Sequence, residues 1–420
     1  MRILMLAQFY APIVGGEERH VQDLSRELVR RGHEVAVVTF WHPGSAAFEI
    51  DEGVFVHRIR STMQRADWLF SDQRRHAPPL PDPEALRHIG RIFGGERPDV
   101  VHAHNWIVHS FLPLKAWQRT PLVVTLHDYS LRCAQKRLMY QDTIPCSGPG
   151  LIKCLRCSAV HYGAVKGQGI AVANWIMGAL ERRVVDMFLP VSEATAAGNA
   201  LHELGLPFRV IPNFMPQREL ASAADLAPYV RQLPQEAYLL FVGDLSQDKG
   251  IEILLAAYAQ LVDPPKLLLI GRRHTTTPKT LPANVEILGP WPHAAVMEAW
   301  RRSHFGLVPS LTPETFGLVA LEAMSSGRPV IAADSGGLGE VVIHGESGLI
   351  TPPGDVEALA AAMQSLIADP SLRERMGAAA AARAETFSAA RIVPQIEEVY
   401  DLLVMNQSRR LLEKLAQPFL

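Results

Sequence analysis

Apolar residues in this chain fall into short continuous runs, separated by longer stretches in which they recur every three or four positions. RILMLA (Arg2 to Ala7), EVAVVTF, VFVHRI, DVVHAH and LVVTLH are runs of the first kind. Unbroken apolar runs of this length suit strands buried on both faces, which is the condition of a parallel sheet. Between the first two runs, GGEERHVQDLSRELVRRGH carries its apolar residues at helical spacing. Strands alternating with helices predict a doubly wound parallel sheet. A second series, YLLFVGD, KLLLIG, VEILG, FGLVPS and PVIAA, follows the proline-bounded VIPNFMP, Val210 to Pro216. The expected organisation is therefore a Rossmann-like domain over 1–214, a second over 215–388, and a helical stretch over 389–420. Of that stretch, Ala389 to Leu415 is long enough to cross back onto the first domain. The fold class expected is α/β, with two parallel sheets facing across a cleft.

Composition narrows the class further. A chain of 420 residues, 48% apolar and 20% charged, suits a soluble enzyme of two or three domains. No apolar run reaches the roughly 18 residues that a membrane span needs; the longest candidate, Ile170 to Leu180, stops at Glu181-Arg182-Arg183. Met1-Arg2 leads straight into ILMLA with no cleavage site before the Gly15-Gly16 turn, so the expected location is the cytoplasm. Net charge is -2, but residues 1–214 carry 24 Lys and Arg against 20 Asp and Glu, leaving 17 against 23 for the rest. So small an excess excludes nucleic acid as the expected partner. It suits anionic acceptors or peripheral contact with the inner membrane face, where Arg65, Trp68, Leu69, Phe70, Arg74 and Arg75 form the most amphipathic cluster. A solvated loop is the plainer reading of that cluster.

The densest chemistry lies in PETFGLVALEAMSSGRPVIA, Pro313 to Ala332. Glu314 and Glu322 flank a helix start built from Thr315, Phe316, Gly317 and Leu318. Thr315 is a good N-cap residue, and the first amides after it have no partner inside the helix, so they can face an anion at the positive end of the helix dipole. At about 1.5 Å per residue, Glu322 stands roughly 9 Å along the helix from Phe316. Its carboxylate could accept from ribose hydroxyls, and Glu314, ahead of the cap, could accept from those of a transferred sugar. The strand VIAA and the turn Ser335-Gly336-Gly337 come next, and the carboxyl end of such a strand is where an open parallel sheet binds ligands.

These motifs resemble the retaining glycosyltransferase family 4, whose E-x7-E signature and following strand and Gly-Gly turn are matched from Glu314 to Gly337. The resemblance covers nearly the whole chain and implies the GT-B architecture. It also implies a nucleotide diphosphate sugar, UDP- or GDP-linked, as donor. The implied donor residues are Glu322 on ribose, Lys249 with the amides of Phe316, Gly317 and Leu318 on the diphosphate, and the backbone near Pro290 and Trp291 at the base. Glu314 and His127, at the end of LVVTLH, would meet the donor sugar, and the Gly16 amide the distal phosphate. His102, His104 and Asn105, ending DVVHAH, would line the acceptor side. The acceptor itself, whether glycan, lipid-linked precursor or small molecule, stays open. No side chain offers itself as general base and no Asp-x-Asp metal motif is present. Both points agree with the front-face substitution without a catalytic metal that the resemblance implies, leading into glycoconjugate or polysaccharide biosynthesis.

Asp244 departs from the family pattern, standing in GDLSQDKG where an arginine often precedes Lys249-Gly250. It either turns away, pairs with Lys249 or another base, or faces the acceptor. All four cysteines lie within 25 residues, as Cys133-x12-Cys146-x7-Cys154-x2-Cys157, inserted after His127. That clustering makes a four-thiolate structural zinc site plausible, against four unrelated buried thiols. Two rival functions remain: a GT-B relative such as an epimerase, which processes nucleotide sugars without transfer, and a non-catalytic two-domain sugar-binding protein.

Overall fold

A computed structural model describes residues 1–13, 15–65, 77–215 and 222–415. The chain divides into two compact units, one comprising Met1–Pro212 and the chain from Ala390 onward, the other Asn213–Ala389. Trp68, Leu69, Phe70, Arg74 and Arg75 of the amphipathic cluster lie outside the described residues, whereas Arg65 pairs with Glu84 at 2.6 Å.

The first unit is built on a seven-stranded sheet. Its strands are β1 (Arg2–Ala7), β2 (Glu34–Phe40), β3 (Phe48–Asp51), β4 (Val54–Ile59), β5 (Val100–His104), β6 (Leu122–Leu126) and, after a two-stranded ladder of β7 (Met139–Tyr140) with β8 (Ile144–Pro145), β9 (Met187–Pro190). The order is β3-β4-β2-β1-β5-β6-β9, and every pairing is parallel except β3 with β4. Leu4, Leu6, Val101 and Val124 point into a core shared with Ile107, Phe111 and Met177. Burying each such side chain contributes about 1.5–3 kcal/mol, so the continuous apolar runs pin the strands in place. The edge strand β3, FEID, is mostly exposed and has no such run, and for that reason the apolar pattern does not announce it.

The terminal helix Ala389–Leu415 starts at the boundary of the two units and packs within the first. Its Tyr400 hydroxyl bonds to His102 Nδ1 at 2.6 Å, and Glu397 accepts from Arg31 and meets His33, both at 2.8 Å.

The second unit is built on a six-stranded parallel sheet of β10 (Tyr238–Val242), β11 (Leu267–Ile270), β12 (Val285–Leu288), β13 (Ser303–Val308), β14 (Val330–Ala333) and β15 (Gly348–Thr351). Their order is β12-β11-β10-β13-β14-β15. Leu239, Phe241, Leu254, Leu269, Leu307 and Met363 belong to its core. In each sheet the winding reverses once at the centre, between β1 and β5 and between β10 and β13. The carboxyl ends of those strand pairs are where such sheets leave a crevice for ligands.

Candidate functional site

In the second unit, the loops after β10 and β13 carry the charged residues at the reversal point. The chain after β10 passes through Gly243 and Asp244 into the 3-10 turn Gln247–Lys249, and Gly250 opens the helix Ile251–Tyr258 in the left-handed region at φ 74°. A Cβ at Gly250 would collide with the Pro309 carbonyl, so glycine is what lets the Lys249 turn close against the chain leaving β13. Lys249 Nζ then lies 2.6 Å from Glu314 Oε1, which also accepts from the Ser310 hydroxyl at 2.6 Å. Burial by itself would raise the Glu314 carboxyl, but Lys249 and Ser310 outweigh it and hold it below its ordinary value. The converse holds for Lys249: burial opposes its charge, and Glu314 more than restores it. The pair is a fixed plus and minus, not a proton reservoir.

The helix start differs from the sequence expectation. Thr315 does not cap it: the helix runs Leu318–Ser325 with Gly317 as N-cap at φ 103° and no side-chain cap bond. Glu314 instead forms a bridge with Gly336, and Gly337 N donates to Glu314 O at 2.7 Å. Gly336 sits at φ 62° where a Cβ would collide with that same carbonyl. This backbone pairing holds the chain out of the helix past Thr315, and the N-cap falls two residues later, at Gly317. The first helical amide is thus that of Leu318, while the Phe316 side chain is 2% exposed and packs edge-on to Phe387 as a core residue.

Glu322 lies within that helix and is nearly buried, and His293 Nε2 approaches its Oε1 at 3.0 Å. His293 begins the helix His293–Arg302 two residues after Trp291, whose ring meets Tyr229 edge-on at 5.4 Å. Asp244 takes the "another base" outcome: Arg272 forks onto it with Nε–Oδ1 and Nη2–Oδ2 both at 3.0 Å, and His274 Nε2 lies 3.4 Å away. Although burial raises it, the Arg272 bonds keep Asp244 below the usual carboxylate range. Sequence reasoning missed His293, Arg272 and Ser310. Arg272 directly follows the β11 run KLLLIG, and its place at a central strand end was the one available signal.

In the first unit, the helix after β1, the end of β5 and the residue after β6 bring histidines together. Gly16 is exposed and begins the helix Gly16–Arg30; Gly15, its N-cap, is extended at φ -167°, so the turn uses no positive φ at either glycine. His104 Nδ1 lies 3.0 Å from His127 Nε2, and His20 and His102 complete the group, with ring centroids 4.4 to 6.0 Å apart. His102 is buried between Tyr400 and the Thr125 hydroxyl, 2.7 Å from its Nε2, so it supports the sheet and does not face an acceptor. His104 is likewise buried; it orients His127, the ring nearer the surface. Asn105 adopts φ 56° and donates through its side chain to Glu17. Burial, followed by the charge of neighbouring rings, lowers all four histidines, His102 and His127 to about 3. Glu17 is pushed up to about 8, chiefly by burial, with Glu18 and Asp128 adding to the effect and Lys136 and Asn105 opposing it.

Cys133, Cys146, Cys154 and Cys157 line one cavity, but the expected ligand set is not closed on a point. Among the described residues no group of three or more His, Cys, Asp or Glu side chains is arranged to hold a metal.

Comparison with known proteins matches residues 14–217 to the glycosyltransferase family 4 profile and residues 230–383 to the glycosyl transferases group 1 profile. A glycogen synthase of Mycobacterium tuberculosis is 29% identical over 91% of this chain and 90% of its own. A phosphatidyl-myo-inositol mannosyltransferase of Mycobacterium leprae is 25% identical over 97% and 99%. Among solved structures, sucrose-phosphate synthase from Thermosynechococcus elongatus superposes with a TM-score of 0.72 at 22% identity, over 97% of this chain and 100% of that one. HepE of Anabaena, solved with UDP-glucose, has a TM-score of 0.66 at 21% identity, over 96% and 99%.

The histidine group makes stability depend on pH. A histidine whose folded pKa lies below its unfolded 6.5 stabilises fully above 6.5, and that contribution is lost as pH falls toward about 3. Each proton so excluded is worth ~1.4 kcal/mol per pH unit in that window. Glu17 acts in the opposite sense, since its folded value of about 8 exceeds the unfolded 4.5, so stability drains as pH rises between them. The melting temperature should therefore fall as pH drops from about 7 to about 5, and Glu17→Gln should raise it more at pH about 8 than at about 6. A melting temperature flat across the acid range would contradict a neutral histidine group.

Proposed function

Because the chain belongs to glycosyltransferase family 4, carries the GT-B fold and so acts in sugar transfer, we propose that its donor is a nucleotide diphosphate sugar, UDP- or GDP-linked, and that transfer retains the anomeric configuration. The observation that carries this reading is the Lys249–Glu314 pair at the winding reversal of the six-stranded sheet, beside a helix start. That combination offers a cation and free amides to a diphosphate, and a carboxylate to the hydroxyls beside it. HepE, a protein of the same fold, was solved with UDP-glucose, which supports the choice of donor.

In this reading Lys249 and the amides from Leu318 onward take the diphosphate. Glu322, steadied by His293, accepts from the ribose, and the chain at Trp291 borders the base. Arg272, aimed by its fork onto Asp244, is the second cation that the residue at 244 does not supply. Glu314 accepts from the sugar. In the first unit Gly16 and His127, the latter oriented by His104, serve the sugar and phosphate, and Asn105 the acceptor. In the front-face step the bond from the anomeric carbon to the diphosphate oxygen breaks with its electron pair going to that oxygen. The acceptor oxygen bonds to the same face and its proton passes to the departing diphosphate. The neutral His127 donates or accepts hydrogen bonds without itself ionising. Rate then comes from positioning and from stabilising the leaving charge, which falls to Lys249, Arg272 and the helix amides and not to a divalent cation. A carbohydrate, lipid-linked or small-molecule acceptor would all fit, and metabolically the reaction belongs to glycoconjugate or polysaccharide synthesis.

We extend the proposal to a cytoplasmic enzyme touching an anionic membrane surface. Among the described residues no helix is long and apolar enough to cross a membrane. The helix Ala164–Val184 nevertheless exposes Val165, Val172, Trp175, Ile176 and Leu180, and the preceding helix exposes Leu151, Ile152 and Val160. Over Leu151–Val184 the only acid is Glu181, buried against His109, while Arg156, Lys166 and Arg183 are exposed. Exposed apolar side chains bordered by positive charge suit an anionic bilayer.

The donor assignment predicts that Glu322→Ala weakens nucleotide diphosphate binding by roughly 1.5 to 3 kcal/mol, the worth of hydrogen bonds to a charged group. Equal calorimetric affinities for the two proteins would reject it. Lys249→Ala should lose most transfer, and Glu314→Ala should depress turnover with little change in nucleotide affinity. For Asp244, removal of a negative charge near a diphosphate should on charge alone tighten binding. If Asp244 aims Arg272, Asp244→Asn should weaken it instead, as Arg272→Ala does; tighter binding would show that Arg272 does not meet the diphosphate. The anomeric configuration of the product, read by NMR, tests retention directly. The membrane surface is checked by flotation with vesicles. Binding to anionic but not neutral vesicles, diminished by Trp175→Ser with Ile176→Ser, is the expected result, and absence of binding to anionic vesicles rejects the contact.

A further inference from the structure

The segment between β6 and the helix Ala164–Val184 buries Tyr129, Leu131 and Met139, but its residues 141–156 bury no side chain. Its strands β7 and β8 are two residues each, and Ile144, Leu151 and Ile152 are exposed. Yet its backbone is sharply shaped: Lys136, Leu138, Gln141 and Asp142 all lie in the left-handed region, with φ of 67°, 52°, 52° and 60°. Bulky residues hold such conformations only where their surroundings over-determine them.

The shaping serves the sulfurs. Amides of Gln135, Lys136, Arg137 and Leu138 turn toward Cys133, Gln141 N donates to Cys157 Sγ at 3.1 Å, and Gly150 N approaches Cys154 Sγ at 3.4 Å. Cys146 is tied in by its own amide, which donates to Leu138 O at 2.7 Å. Cys154 and Cys157, three apart on the helix Leu151–Tyr162, share a face. With Cys133 and Cys146 they line one cavity of about 350 Å³, open to solvent, whose other walls include Leu138, Met139 and Pro149. Four sulfurs from three pieces of chain thus border one cavity, with backbone amides beside them that can donate to a metal-bound sulfur.

We propose that Cys133, Cys146, Cys154 and Cys157 bind one zinc ion as four thiolates, and that this ion ties the segment together. Each thiol gives its proton to solvent as its sulfur binds, and the sulfurs close inward across the cavity to the roughly 2.3 Å that zinc–thiolate bonds require. The amides then act as donors to the bound sulfurs, offsetting their charge. The ion has no part in sugar transfer: its work is to fix a polar loop, IPCSGPGLIKC, that has too few apolar side chains to fix itself.

The test uses the full chain, purified under reducing conditions without chelator. Elemental analysis and native mass spectrometry should find about one zinc per chain, the stoichiometry of a closed four-cysteine site. Exchange with cobalt should give the visible bands of a tetrahedral thiolate complex. Cys154→Ser with Cys157→Ser should abolish both signals. Chelation of the unaltered protein supplies a second readout that does not depend on how that variant folds: proteolysis should open within 133–157 and close again when zinc alone is returned. Three results overturn the proposal: four freely titrating thiols with no metal, iron accompanied by inorganic sulfide, or cysteines paired as disulfides in the freshly isolated protein.

Discussion

Everything at the candidate donor site depends on one constraint, the parallel pairing of β10 with β13 at the centre of the six-stranded sheet. Leu240 pairs with Gly306 and Phe241 with Leu307, so the two strands end side by side while the chain leaving each winds toward an opposite flank. The loops diverge above that point after touching through backbone, Leu311 N donating to Asp248 O at 2.9 Å, and Lys249 from one meets Glu314 from the other. The same constraint acts in the first unit, where Ala7 at the end of β1 pairs with His104 at the end of β5. There the loop carrying Gly15 and Gly16 departs one way, and the turn carrying Asn105 the other. Each unit therefore gathers polar residues at the reversal of its sheet, on an otherwise apolar frame.

The charges at the donor loops are paired locally, which answers the question posed by Asp244. A lone carboxylate beside a phosphate site would repel the ligand. Forked by Arg272 and near His274, it belongs to a group that is neutral or positive, whose guanidinium stands at the neighbouring strand end. With Arg272 and Asp244 both substantially exposed, the pair adds little to stability. Its effect is on where the guanidinium points, and a planar fork held at two atoms is suited to that.

Much of this fold is legible in the sequence because strands buried on both faces must be apolar at every position. LVVTL, YLLFV and LLLI declare themselves without reference to anything distant. Edge strand β3 is exposed, and nothing requires its pattern. At the site, residues marked by local grammar were legible: Glu314 and Glu322 by their spacing, Lys249 by the glycine after it, and His127 by its strand end. Their partners were not, since His293 reaches Glu322 across 29 positions and Arg272 reaches Asp244 across 28. The helix start was misread for a related reason. Thr315 has the chemistry of a cap, but the bridge from Glu314 to Gly336, made by a later strand's turn, outbids a local preference worth about 1 kcal/mol.

The Lys249–Glu314 pair occupies the very groups that the proposed reaction needs. Leaving either charge alone in this partly buried place would cost more than the pair, because an unpaired buried ion keeps its desolvation penalty without compensation. In the proposed reaction a nucleotide sugar replaces both partners at once: its diphosphate would bring negative charge to Lys249 as its sugar hydroxyls bring donors to Glu314. Each group exchanges one partner for another of the right sign, so neither has to be desolvated anew. A diphosphate without a sugar would take Lys249 and leave Glu314 with the Ser310 hydroxyl alone. The pair thereby couples the two ends of the donor, and on this reading the enzyme distinguishes the sugar-bearing nucleotide from the spent one through the carboxylate, not the lysine.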